Sequence, residues 1–421
     1  MSKKIYVYEC FFTDTSNLMG YLYVDVVRGT ESYSFEYNKE WLNNNSINFI
    51  DPDLSFYNGR QYPIEKEIFG LFSDSMPDRW GRILMKRKES IIAEAEQRKP
   101  NKLFDSDFLL GVYDETRMGA IRFKLEENGD FISSDKSMPT PPWKSLRELE
   151  DISLKIDSNE AIKDEWLNIL IKPGSSLGGA RPKANVYDEK GNLWIAKFPS
   201  KNDEYNVGAW EKVASALAKM CGLNVPESRL ERFSKYGDIF IVKRFDRNKE
   251  KRIHYSSAMT MLGKTDGASS KDGSSYLDIV SFIKSFGSNP KEDIIELWKR
   301  IVFNIAISNT DDHLRNHGFI LDRSGWRLSP LFDINPVPYG NELSLLIDNV
   351  NSIISVDIAI EASKYYGLSK DEAKEIAYNI LKIVNDNWRK LALKYNISCG
   401  EIRIMEPAFN ECRKLELLNI K

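Results

Sequence analysis

Asn309-Thr-Asp-Asp-His-Leu-Arg-Asn316-His-Gly-Phe319, with Leu331-Phe-Asp333 downstream, decides how this chain is read. His317 to Leu321 has the composition of a strand, Asp322-Arg-Ser-Gly325 that of a turn, and Trp326 to Leu331 that of a return strand. An antiparallel hairpin brings its entrance and exit side by side, so Asn316 and Asp333 are expected as neighbours. An amide oxygen beside a carboxylate suits Mg²⁺, which prefers oxygen ligands and usually sits between one or two carboxylates and nucleotide phosphates. Asp311 precedes Asn316 with the Asp-x-x-x-x-Asn spacing by which kinase catalytic loops hold a base beside a metal ligand. Asp, Asn and Gly are also what any exposed turn contains. It is their joint arrangement that points to phosphoryl transfer.

The rest of the chain is compatible with an enzyme. Its 421 residues can bury substantial cores in two or three domains, and 42% hydrophobic with 29% charged residues describes an ordered globular protein. A net charge of -3 provides no global basic field for nucleic acid. The apolar stretch after Lys3 and Lys4 is interrupted at Glu9, too early for a secretory signal, so a cytoplasmic protein without a membrane partner is expected. Cys10, Cys221, Cys399 and Cys412 are scattered, and with only His254, His313 and His317 they form no zinc pattern and imply no disulfide.

Short alternating runs between residues 5 and 37 suggest a β-rich opening. Ser75-Met-Pro-Asp78 resembles a capping box before a helix whose apolar face holds Trp80, Ile83 and Leu84. The polar, Pro-rich tract ending at Pro139-Thr-Pro-Pro-Trp143 is the best boundary. A helix over 145–170 follows, then a hairpin from Pro182 to Phe198 that carries Lys197, a helix over 205–220, and strands near 227–233 and 238–245. Beyond these the pattern is mostly helical, over 275–286, 291–308, 353–396 and 401–418, with Thr265 to Ser275 expected as a mobile loop. The expected architecture is therefore α+β: a small β-rich subdomain over 1–138, a β-rich lobe over 139–247 and a helical lobe over 248–421.

Gly174-Ser-Ser-Leu-Gly-Gly-Ala-Arg-Pro-Lys183 offers glycines that admit phosphate to the backbone N–H groups, plus two cations. It is neither a Walker A nor a G-x-G-x-x-G sequence, and by itself it reads as a surface turn. Lys197 lies among apolar residues, where its ammonium needs a partner, and Glu211 on the next helix is a candidate to orient it. Gly174-x-Ser176-x-Gly178 also fits the nucleophile elbow of α/β-hydrolases, but a proline and a hairpin follow where that motif requires a helix.

Together, the stretches 176–183, Ile195-Ala-Lys-Phe-Pro199, Val242-Lys-Arg-Phe-Asp-Arg247, 309–316 and Leu328-Ser-Pro-Leu-Phe-Asp333 resemble the HipA family of bacterial toxin kinases in order and spacing. Phe72-Ser-Asp-Ser-Met-Pro-Asp-Arg-Trp-Gly-Arg82 is similar to the signature of that family's N-terminal subdomain. The resemblance implies a serine/threonine protein kinase with a protein-kinase-like bilobal core that uses ATP and Mg²⁺. It further implies a small HipB-like helix-turn-helix antitoxin as partner, operator DNA reached through that antitoxin, and a protein substrate, which some relatives suggest is a tRNA synthetase. By carry-over, Asp311 is the catalytic base, and Asn316 and Asp333 are the metal ligands. Gly178, Gly179, Ala180, Arg181, Pro182 and Lys183 form the phosphate loop, and Lys197 holds the nucleotide phosphates. Lys243, Arg244 and Phe245 form the adenine-side hinge, His313 adds a nucleotide contact, and Glu211 orients Lys197. Ser176 matches the serine that family members autophosphorylate, with Ser175 adjoining it; a phosphate there adds about −1.5 to −2 charge beside ATP and repels it. Arg181-Pro182 stands where the family often has Gln-Glu, and Asp312 where glycine is frequent. The competing expectation is a catalytically idle scaffold that acts as an antitoxin and operator corepressor.

Overall fold

The computed structural model describes residues 2–134, 140–158, 160, 179, 181–249 and 251–418. Gly174, Ser175, Ser176, Gly178 and Ala180 lie outside the described residues, as does most of the helix expected beyond Asp157. The chain forms two compact units that are not sequential blocks. One comprises Met1–Lys201, Lys243–Ser256 and Ile320–Arg323; the other comprises Asn202–Val242, Ser257–Phe319 and Ser324–Lys421. The composition is mixed α+β, with an N-terminal sheet and a helical C-terminal part.

In the first unit, β1 (Ser2–Glu9), β2 (Asn17–Val27), β3 (Thr30–Tyr37) and β4 (Ile121–Lys124) make an antiparallel sheet in the order β3-β2-β1-β4. Alternation turns Ile5, Val7, Leu22 and Val24 inward. There they join an aromatic layer in which Phe72 lies 5.6 Å from Phe35 and 6.1 Å from Phe123 between ring centroids.

The helix expected after Ser75 spans Arg79–Ala95, and its cap is Asp78 rather than Ser75. Ser75 belongs to the end of the preceding turn, since its N–H donates to Phe72 O. Asp78 Oδ1 accepts from Gly81 N at 2.8 Å instead. Trp80 and Leu84 are buried as expected, whereas Ile83 is exposed.

The hairpin that follows pairs β5 (Lys183–Tyr187) with β6 (Leu193–Lys197), Lys183 opposite Lys197. At its turn, Asp188 Oδ1 accepts from the N–H groups of Lys190 and Asn192, and Gly191 supplies a φ of 75°.

The second unit contains the antiparallel pair β7 (Ser228–Glu231) and β8 (Ile239–Lys243) and the helices Val207–Met220, Tyr276–Phe286, Pro290–Ala306 and Lys370–Lys394. Trp388 stacks on Phe409 at 4.2 Å, with Trp210 beside both, and this forms the core of the helical part. The helical stretch expected over 353–396 is broken: Val356–Ala362 runs into a 3-10 turn ending at Gly367, with φ of 78°, and Ser369 starts a new helix with a capping box.

The loop expected to be mobile before Ser275 is pinned over its second half. Ser269 and Asp272 form a capping box, Ser274 is fully buried, and Ser270 N donates to Ser344 O at 2.6 Å.

No helix among the described residues is long and apolar enough to cross a membrane. All four cysteines are free thiols.

Candidate active site

One helix organises the loop from Asn309 to Asn316. Pro290–Ala306 begins with proline, whose missing N–H costs nothing at that position. From this helix, Asp293 accepts from the Arg327 guanidinium and from Leu328 N, and Arg300 Nη2 donates to Ser329 O at 2.8 Å. Ser329 N in turn donates to Gly318 O at 2.8 Å, closing the hairpin between Gly318–Asp322 and Gly325–Leu328. The return strand is shorter than expected because Pro330 cannot donate to a ladder.

At the helix's last turn, Asn304 Oδ1 accepts from Asn309 Nδ2 at 3.1 Å, and Asn304 Nδ2 donates to Asp312 Oδ2 at 2.7 Å. The same helix thus holds both the loop at Asn309 and Asp312 and the return strand at Arg327 to Ser329.

Asp311 and Asp312 are neighbours with opposite fates. Asp312 is buried, and its Oδ2 also accepts from Tyr276 Oη at 2.6 Å and from His317 Nε2 at 2.8 Å. A carboxylate only accepts, so His317 carries its proton on Nε2. Burial alone would raise the Asp312 pKa, but the field of His317 and the hydrogen bonds from His317 and Tyr276 win and hold it below the usual range. It is a hub for the loop.

Asp311 turns outward, with its side chain 78% exposed, and His313 Nε2 stands 3.8 Å from its Oδ1. Partial desolvation is the main cause of a raised Asp311 pKa; His313 opposes the rise, and the carboxylates of Asp333 and Asp312 reinforce it. Two carboxylates whose environments push them apart is the pattern expected where one does proton transfer and the other holds structure.

Asn316 is buried, and its Nδ2 donates to the main-chain oxygen of Asp311 at 2.8 Å. Since a carbonyl only accepts, this bond fixes which way the amide faces. Oδ1 points away, buried and without a hydrogen-bond partner among the described residues. An oriented, unsatisfied amide oxygen fits a hard cation.

Asp333 holds a left-handed φ of 57°, a conformation that costs free energy in a residue with a Cβ and that clusters at functional sites. Among the described residues no three His, Cys, Asp or Glu side chains are grouped to hold a metal unaided. Mg²⁺ bound by one carboxylate, one amide and nucleotide phosphates needs no such group.

Of the nucleotide-side residues, Gly179 has a φ of 92°, which its lack of a Cβ permits. Pro182 lacks a donor but accepts from Phe198 N at 2.8 Å, and Arg181 is half-buried beside it. Lys183 is buried, its ammonium 2.7 Å from Asp78 Oδ2, so an expected phosphate cation is instead committed to an ion pair. Lys197 ends β6 and is buried; Glu211 is buried on helix Val207–Met220.

Around the expected hinge, Lys243 and Phe245 are half-buried, but Arg244 is buried. Its guanidinium bonds Asp246, Thr116 O and Asn185 Oδ1, and its main-chain N–H donates to Leu193 O at 3.0 Å. Asp246 is fully buried; burial would raise its pKa, yet Arg244 and Arg247 pull it down to about 2.

Sequence reading missed Tyr276, Asn304 and Asp246. Their polar type on otherwise apolar or basic stretches was the available signal.

The stretch 175–388 matches the HipA-like C-terminal domain, half of the chain. The chain belongs to the HipA-like family. It is 26% identical over 223 residues to the serine/threonine-protein kinase toxin HipA of Shewanella oneidensis, covering 45% of this chain and 51% of that protein. It is 28% identical over 197 residues to a protein of Haemophilus influenzae named as a candidate kinase, covering 40% of this chain and 57% of that one. The matches thus span about half the length of these relatives. Shewanella oneidensis HipA, solved with HipB and its operator DNA, shares the fold at a TM-score of 0.70 and 17% identity, over 98% of this chain and 100% of that one.

Proposed function

We propose that the chain is an ATP- and Mg²⁺-dependent serine/threonine protein kinase, the toxin of a pair with a HipB-like helix-turn-helix antitoxin. The observation that carries this reading is the Asp311–Asn316 arrangement. A base of raised pKa reaches solvent, while the amide at the kinase spacing binds that base's own carbonyl and leaves its oxygen unsatisfied. Asp311 takes the proton of the acceptor hydroxyl as the hydroxyl oxygen bonds to the terminal phosphorus of ATP and the bridging P–O bond breaks to release ADP. Asn316 and Asp333 hold the metal. When bound, Mg²⁺ neutralises charge on the phosphate oxygens. Lys197, oriented by Glu211, holds the phosphates, and the protein-kinase-like bilobal core is part of this reading. The acceptor is a hydroxyl of a host protein, and modification of Ser176 or Ser175 silences the enzyme through charge repulsion.

The test is incubation of purified protein and host lysate with ATP labelled at the terminal phosphate. The expected result is labelled protein, with Asp311→Ala slower by about 10² to 10⁴, the usual contribution of a positioned base. Equal labelling by the variant would refute the assignment. Nucleotide binding with no transfer at any Mg²⁺ concentration would favour a corepressor scaffold instead.

A further inference from the structure

We propose that Asp78 and Trp80, in the N-terminal Phe72 to Arg82 signature, are positioning residues for the phosphate loop. They clamp Lys183 and so hold the loop's exit in the form that receives nucleotide phosphates. This rests on the proposed function and deepens it.

Lys183 is gripped at both ends. Its ammonium lies 2.7 Å from Asp78 Oδ2, with the two side chains only 5% and 4% exposed. Its main-chain oxygen accepts from Trp80 Nε1 at 3.2 Å. Both partners come from one short stretch more than 100 residues earlier, the ion pair spanning 105 positions. The same ammonium donates to Gly179 O at 3.4 Å, and a Cβ on Gly179 would itself lie 3.4 Å from that nitrogen. The pair therefore links the start of helix Arg79–Ala95 to Lys183 and, through the same ammonium, to Gly179.

A single carboxylate does two things here. Asp78 Oδ1 caps the helix at Gly81 N, and Oδ2 takes the lysine. The cap sets where the carboxylate sits, and the carboxylate sets where Lys183 sits. A buried ion pair is no efficient source of stability, because desolvation offsets its attraction. Fixing one geometry is what such a pair does well, and here the fixed object is Lys183, the last residue of the proposed phosphate loop. A lysine expected to meet ATP is thus already paired with a carboxylate. It acts on the nucleotide through the loop's shape.

Asp78→Asn is the discriminating variant, since asparagine caps helices as well as aspartate but cannot neutralise Lys183. Trp80→Phe removes only the indole donor. Two quantities are read on the full chain: amide exchange across residues 179–183 without nucleotide, and the affinity for a non-hydrolysable ATP analogue with Mg²⁺. Both variants are expected to speed exchange there and weaken nucleotide binding, Asp78→Asn by about tenfold or more, with the thermal transition of the protein retained. Asp78→Asn in a Lys183→Met background is expected to add nothing, because Asp78 acts through Lys183. Unchanged exchange and affinity in a folded Asp78→Asn protein would overturn the proposal. If Asp78→Asn does not fold, Trp80→Phe decides in the same way. Failure of the unaltered protein to bind the analogue would instead overturn the kinase reading, and the nucleotide role of the clamp with it.

Discussion

Asn304 Nδ2 donates to Asp312 Oδ2 at 2.7 Å, so the end of helix Pro290–Ala306 holds the residue next to the proposed base. Asp312 gathers three donors and is buried; Asp311 beside it is left to solvent. Of two consecutive carboxylates, one is thereby anchored and the other stays open to solvent.

This division predicts opposite mutant behaviour. Asp312→Ala strands buried groups of Tyr276, Asn304 and His317, each costing about 1–3 kcal/mol when left unsatisfied. A large drop in the denaturant midpoint is expected. Asp311→Ala should leave that midpoint nearly unchanged and remove phosphate transfer. Chemical denaturation of both variants, beside the labelling assay, checks the pair.

Gly340 approaches the same loop so closely that a Cβ there would lie 2.0 Å from Thr310 Cγ2. The threonine is stiff at χ1, and Ser344 Oγ already donates to Thr310 O at 2.7 Å, so the clash has to move backbone next to Asp311. Gly340→Ala is expected to lower both stability and transfer rate by several-fold. Thr310→Ser, which deletes the offending methyl, should restore much of each; a double-mutant cycle with no coupling would contradict the contact.

Acid stability should report on His254. The ring is buried against Phe11, with centroids 4.6 Å apart, and burial lowers its pKa to about 3 from the ordinary 6.5. The unfolded chain then binds a proton that the folded one refuses. The stabilising effect of the neutral ring is complete above pH 6.5 and is lost as pH falls toward about 3. Its limiting slope is about 1.4 kcal/mol per pH unit. His254→Phe should flatten the stability profile across that window, and urea midpoints at pH 7, 6 and 5 measure it.

Asp246 sits under Arg244 and Arg247 with no solvent exposure. Asp246→Asn leaves two buried guanidinium groups without their counter-charge, and a loss of about 3–5 kcal/mol is expected. The first unit should lose cooperativity, visible as a broadened thermal transition. A stability equal to the parent would mean that the cluster is solvated.

The local geometry around Asp311 was legible in sequence because short spacing carries it: Asn316 bonds back to the Asp311 main chain, and a hairpin of ordinary length follows. The helix start at Ser275 was readable for the same reason, whereas the break before Ser369 inside the stretch 353–396 was not. Roles set by distant partners were not. Asp312 looked like a second carboxylate at the site until Asn304, Tyr276 and His317 turned it inward. Lys183 looked like a phosphate cation, and its partner Asp78 lies in another segment altogether. Ser75 and Asp78 both suit a helix start, and only the turn ending at Ser75 decides between them.

The central claim is that Asn316 and Asp333 hold the metal of a nucleotide-phosphate site beside Asp311. A crystal of the protein grown with Mn²⁺ and a non-hydrolysable ATP analogue tests it, because manganese gives an anomalous signal. The account predicts a peak bonded to Asn316 Oδ1, the Asp333 carboxylate and the analogue's phosphates. A peak on the phosphates with Asn316 Oδ1 turned to another partner would contradict it.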